Sequence, residues 1–172
     1  MVRPCRIGVE RIIPMHFITR KLYRKMQPGS RVSERLVERW WDRATAAGQR
    51  HFQAIEAQLP ESMRQFAAIS LHDSRIEKVA QTTPGQVRFE IDGSDCPWGP
   101  TGQFVLTFHG VKSAEGLDKA VGRYWLYEEV DLSPEAGFKF SVLLDRHEFS
   151  IVADEAVFEV VSEPDTEADD EE

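Results

Sequence analysis

The sequence has little cysteine: two in 172 residues, Cys5 and Cys96, far apart and without ligand-like spacing. That scarcity argues against a disulfide framework and makes a reducing compartment, the cytoplasm, the default expectation. Long apolar runs are missing as well. The longest are a few residues, far below the roughly 20 needed to cross a bilayer as a helix, so no membrane partner is expected. Residues 1–14 include Glu10 and lack a continuous apolar stretch, so they do not read as a signal peptide. The Gly-x-Ser-x-Gly elbow, the phosphate-binding loop, the dinucleotide glycine fingerprint and Cys-x-x-Cys are all absent. These absences weigh against the common hydrolase and nucleotide-binding folds, and no cofactor is expected. His16, His51 and His147 show no His-x-x-x-His spacing, and no metal is assigned.

What is present is an ordinary globular composition, 41% hydrophobic and 29% charged, with ten Phe, four Trp and three Tyr to build a core. The length suits one domain or one domain with an appendage. The net charge of -8 is unevenly spread. Residues 1–25 carry seven basic side chains against Glu10, residues 162–172 carry seven acidic and no basic ones, and the stretch between is also net acidic. An acidic body repels phosphate, so nucleic acid is not the expected partner.

Along the chain, Thr19 can cap a helix through Gln27, broken by Pro28-Gly29-Ser30. Residues 31–59 give the strongest helical signal, with Val32, Leu36, Trp40 and Ala44 recurring every four residues, Val37 and Trp41 widening the stripe, and Gly48 a point of bending or division. A third short helix is expected over 61–69. After Ser70 the apolar rhythm changes to alternation, with strands expected at 75–81, 86–92, 103–111, 123–130, 138–144, 148–153 and 156–161. Residues 112–122 read as a polar loop with one helical turn. The expected architecture is α+β: N-terminal helices packed on a curled, mostly antiparallel sheet of about six or seven strands, as a half-barrel or sandwich. It is expected to occupy residues 15–161, with an extension at 1–14 read as lying outside the native domain and a disordered acidic tail at 162–172.

Leu71-His72-Asp73 lies where helices give way to strands. A His beside an Asp can serve as a metal pair, as in the His…His-Asp…Asp phosphohydrolases, and His51 lies upstream, but that fold is all-helical and strands follow here. The structural alternative has Asp73 accept backbone N–H groups in a turn while His72 bridges helix to sheet. His109, at a strand end, is a candidate to approach His72 and complete a polar site through near-neutral imidazole titration. Glu128 and Glu129 are adjacent on a strand and face opposite sides, so they form no carboxylate pair without a bulge, and at least one reads as exposed strand charge. Cys96 reads as a small packing residue. Trp98 in the same loop is a candidate binding aromatic or a cap on the core.

The segment Phe17-Ile18-Thr19-Arg20-Lys21-Leu22-Tyr23-Arg24-Lys25-Met26-Gln27, followed by Leu71-His72-Asp73 before the strands, resembles a bacterial family known as domain of unknown function 4085. Met15 falls at the family's start, and the resemblance covers Met15 to Val161. Ile18 departs mildly from the usual aromatic. The resemblance implies no activity, cofactor or site residue. Two functions from different classes are therefore expected. The first is a protein-binding module, immunity-like or regulatory, for a protein partner, with the acidic body and tail suited to a basic one. The alternative is a metal-dependent hydrolase with a site around His72, Asp73 and His109. The missing catalytic motifs lean away from an enzyme, and a purely structural role is a third option.

Overall fold

The computed structural model describes residues 15–161. The extension at 1–14 and the acidic tail at 162–172 lie outside the described residues. Helix α1 (Arg20–Met26) starts at Thr19, whose hydroxyl accepts from the Leu22 N–H at 3.2 Å. Arg24 and Lys25 fill its last turn, where the helix dipole favours positive charge. Helix α2 (Glu34–Ile55) runs unbroken through Gly48. Glycine keeps both backbone hydrogen-bonding groups, and its cost of about 1 kcal/mol is too small to divide a helix of 22 residues. A 3-10 turn at Glu56–Gln58 and then Pro60 end it. Helix α3 (Glu61–Phe66) is shorter than the segment 61–69, because its last residues close in tight turns, with Ile69 N–H bonded to the Phe66 carbonyl at 2.9 Å.

Eight strands follow: β1 (Arg75–Ala80), β2 (Gln86–Asp92), β3 (Gln103–His109), β4 (Ser113–Glu115), β5 (Trp125–Asp131), β6 (Phe138–Leu144), β7 (Glu148–Ala153) and β8 (Glu155–Val160). The additional strand is β4, three residues in the segment read as a polar loop, and the helical turn expected there is the 3-10 turn Leu117–Lys119. The fold is α+β with antiparallel pairing throughout. In place of one sheet there are two of four strands, ordered β1-β2-β3-β8 and β4-β7-β6-β5. They meet at a corner where Arg75 bridges Tyr124 and where Ser74 and Ile76 exchange backbone bonds with Trp125 and Arg123 at 2.8 and 2.9 Å.

The main core lies between the sheets. Phe89 stacks on Phe149 at 5.3 Å, and Phe108 meets Phe140 at 5.6 Å. Phe66 of α3 touches Phe140 of one sheet at 5.5 Å and Phe158 of the other at 6.0 Å. Each such buried ring contributes about 1.5–3 kcal/mol over its exposed state. Helices α2 and α3 therefore close the side of the sandwich between edge strands β5 and β8. Ser62 supports this closure, accepting the Ala156 N–H of β8 at 3.3 Å. A smaller cluster of Met15, Leu126 and Leu143, joined by Ile18 and Tyr23, covers β5 and β6. Arg20 fastens α1 to the β6–β7 turn, donating to the carbonyls of Leu144, Asp145 and His147 and pairing with Glu148 at 3.3 Å. No described helix is long and apolar enough to cross a membrane.

Candidate functional site

The junction from α3 to β1 is a tight turn. Ser74 N–H bonds to the Leu71 carbonyl at 2.9 Å, and Asp73 N–H bonds to the Trp125 carbonyl at 2.8 Å. Asp73 adopts φ +63°, the left-handed region that asparagine and aspartate tolerate better than most residues. The turn thus uses the main-chain N–H of Asp73 as a donor. The carboxylate makes no backbone bond there and lies 3.7 Å from His72 Nε2, beyond hydrogen-bond distance. His72 Nδ1 sits 2.5 Å from the Leu126 carbonyl, and because that oxygen only accepts, the proton belongs on Nδ1. His72 bridges the junction to the sheet.

The loop between β2 and β3 leans on the same turn. Buried Cys96 places its Sγ 3.4 Å from the Ser70 carbonyl. A Cβ at Gly99 would stand 2.0 Å from that oxygen and 2.7 Å from Cys96 Sγ, so only glycine permits this approach. The Asp92 carboxylate accepts from Ser94 N–H and Oγ at 2.9 and 2.6 Å, and these bonds hold its pKa below the usual carboxylate range. The loop presents Trp98, 75% exposed, against His72 at 5.3 Å. His72 meets Tyr127 at 5.0 Å, and Tyr127 meets Trp41 of α2 at 5.0 Å. Trp98 therefore caps no core: it is the exposed end of an aromatic ribbon that crosses four segments of the chain. Desolvation, then Tyr23 and Asp73, push the Tyr127 phenol above its ordinary pKa, keeping it a neutral donor.

His109 is not brought to this site. It lies at the far end of β3 from the Trp98 loop, six residues and roughly 20 Å along the strand. There its Nδ1 is 3.3 Å from Gln86 Nε2 and its carbonyl accepts the Asp154 N–H at 3.0 Å. His51 is committed elsewhere too: Asp131 Oδ1 lies 2.7 Å from its Nε2, a close contact without the alignment of a hydrogen bond. Among the described residues, no group of three or more His, Cys, Asp or Glu side chains could hold a metal ion together.

A second feature escaped sequence reasoning. Between α2, α3 and β5 lies a cavity of about 570 Å³, within the range of small-ligand sites, about 300–1,000 Å³. Glu128 and Glu129 do face opposite ways on β5, yet neither is an idle strand charge. Glu129 accepts the N–H groups of His16, Phe17 and Ile18 at 2.6, 2.7 and 2.9 Å, anchoring the segment ahead of α1. Glu128 enters the cavity, and Trp125 Nε1 donates to its Oε2 at 2.7 Å. Glu128 remains an exposed residue on the open side of the cavity, with protein packed around part of its carboxyl. Partial desolvation by those neighbours raises its pKa, and the Trp125 hydrogen bond and then nearby His72 oppose the rise. The cause of the inward aim is a bulge between Trp125 and Tyr127, which shifts the alternation so that Trp125 and Glu128 share the core face.

Comparison with known proteins gives one match. The model of a family described as "Protein of unknown function (DUF4085)" matches residues 14–153, more than half of the chain. No curated protein and no solved structure matches.

Proposed function

From the premise that the chain belongs to that family of unknown function, we propose that it is a binding module of a bacterial cytoplasm, immunity-like or regulatory, that takes a protein partner on the aromatic ribbon ending at Trp98. The exposed indole carries this reading. Tryptophan is enriched among residues that dominate binding energy, and a large aromatic held in open solvent by a fixed loop buries no core surface. Asp73 lies beside His72 with its side chain 46% exposed, so a Lys or Arg of the partner can sit over the indole with a carboxylate nearby. The chain's net charge of -8 favours a basic partner in the same way. The distance between His109 and the His72–Asp73 turn removes the geometric support for a hydrolase site built from those three residues.

Affinity purification from the native host, with wild type and Trp98→Ala side by side, tests the reading. A partner retained by wild type and lost from the variant supports it. No reproducible partner, or one retained equally by both, overturns it. Removal of so exposed a side chain should change stability by no more than about 0.5 kcal/mol, so loss of the partner would report on the surface rather than the fold.

A further inference from the structure

We propose that the cavity between α2, α3 and β5 is a binding site for a small organic cation, an ammonium group carried on an apolar body, with Glu128 as its counter-ion. Three observations carry this. The walls are mostly apolar and include four phenylalanines: Phe17 ahead of α1, Phe52 of α2, Phe66 of α3 and Phe140 of β6, with Met63 of α3 beside them. Into them projects one solvent-accessible carboxyl, that of Glu128. Trp125 serves Oε2, and among the described residues no protein group donates to Oε1. Finally, the charge around the cavity is negative. Glu128 and Glu129 line it, and Asp131 stands at its rim against His51.

Each feature selects against other ligands. An anion would meet carboxylates. A neutral apolar molecule would fill the volume and leave Glu128 without a counter-charge. A cation with an apolar body satisfies both parts, because the ammonium takes the place of solvent at Oε1 with a charge-assisted hydrogen bond while the body lies against the apolar walls. The titratable groups near the Glu128 carboxyl are few. His72 approaches from the turn after α3, Glu129 on the opposite face of β5 and Asp131 further along share its strand, and His51 comes from α2. The lining residues Met63, Phe66 and Phe140 from α3 and β6 do not titrate. Enclosure that disfavours the charged carboxylate is relieved when a cation arrives, so binding draws the proton off Glu128.

Calorimetric titration of the full chain with n-hexylammonium, 1-hexanol and hexanoate tests the site. We expect hexylammonium to bind about tenfold or more tightly than hexanol, the fold-change of one charge-assisted hydrogen bond, with no binding of hexanoate. In Glu128→Gln the preference for hexylammonium over hexanol should disappear while hexanol is unaffected. Equal affinity for hexylammonium and hexanol, preference for hexanoate, no binding of any probe, or an unchanged preference in the variant overturns the proposal. Should the variant not fold, carbon-13 titration of the wild-type side-chain carboxyls decides. Saturating hexylammonium should move the Glu128 titration to lower pH and hexanol should not, whereas an unmoved Glu128 titration sinks the site.

Discussion

Glu128 ties a single carboxyl to the pH dependence of the fold. Its folded pKa lies above the ordinary glutamate range because the surrounding protein disfavours the charged form. Between that ordinary range and the raised value, the folded state holds a proton that the unfolded state has lost, so stability falls as pH rises through this window. Below the window both states are protonated and the effect vanishes. The Glu128→Gln variant keeps an acceptor for Trp125 and removes the charge. It should be more stable than wild type at about pH 8 and no different at about pH 4, as read from urea midpoints. A stability difference that stays constant over this range would contradict the assignment. The sequence marks some residues of this kind and hides others. His72 and Asp73 stand out because they sit where the apolar rhythm changes, and Trp98 because it lies among turn-forming residues. Glu128 is hidden because one bulge reverses the side on which it falls. The contact of His51 with Asp131 is hidden because it joins α2 to β5 across the sheet's edge.

Among the elements, α2 is legible from its apolar period, and only its continuity needed correction. Gly48 sits mid-helix at ordinary negative φ, and a Cβ added there would lie 3.5 Å from the Phe17 ring, normal van der Waals contact. Gly48→Ala should therefore stabilise the protein by about 0.5–1 kcal/mol, because alanine loses less backbone entropy in a helix. Thermal unfolding checks this, and a lowered midpoint would mean that the cavity wall does not accept the methyl group. Strand β4 was not legible, since Ser113-Ala114-Glu115 is too short to alternate and pairs only because β7 lies alongside. The grip of Arg20 on three carbonyls is equally silent in sequence, where it reads as one more basic residue of α1.

At the scale of the molecule, alternation announces strands without saying which of them pair. The strands expected at 148–153 and 156–161 have two residues between them, Asp154 and Glu155. In the fold β7 ends at Ala153 and β8 begins at Glu155. One intervening residue is fewer than the two of the common tight hairpins, so the chain crosses to the other sheet and β8 pairs with β3. This crossing gives β3 a second hydrogen-bonded neighbour, as β6 has between β7 and β5, and both strands carry mostly buried side chains. Amide hydrogen exchange should be slowest in these two strands and faster in edge strands β1, β4, β5 and β8. Slowest exchange in α2 would instead place the stability centre in the helical layer.

The contact of the Trp98 loop with Ser70 bears on kinetics as well as geometry. The loop is held by Gly93 N–H to the Gly102 carbonyl at 2.8 Å, Cys96 N–H to the Gly93 carbonyl at 2.9 Å, and the close seat of Gly99. Its shape is settled before any encounter. Docking onto such a preorganised surface forfeits little chain entropy, so association proceeds by collision and local dehydration, and complex lifetime becomes the quantity that substitutions at the indole would alter most.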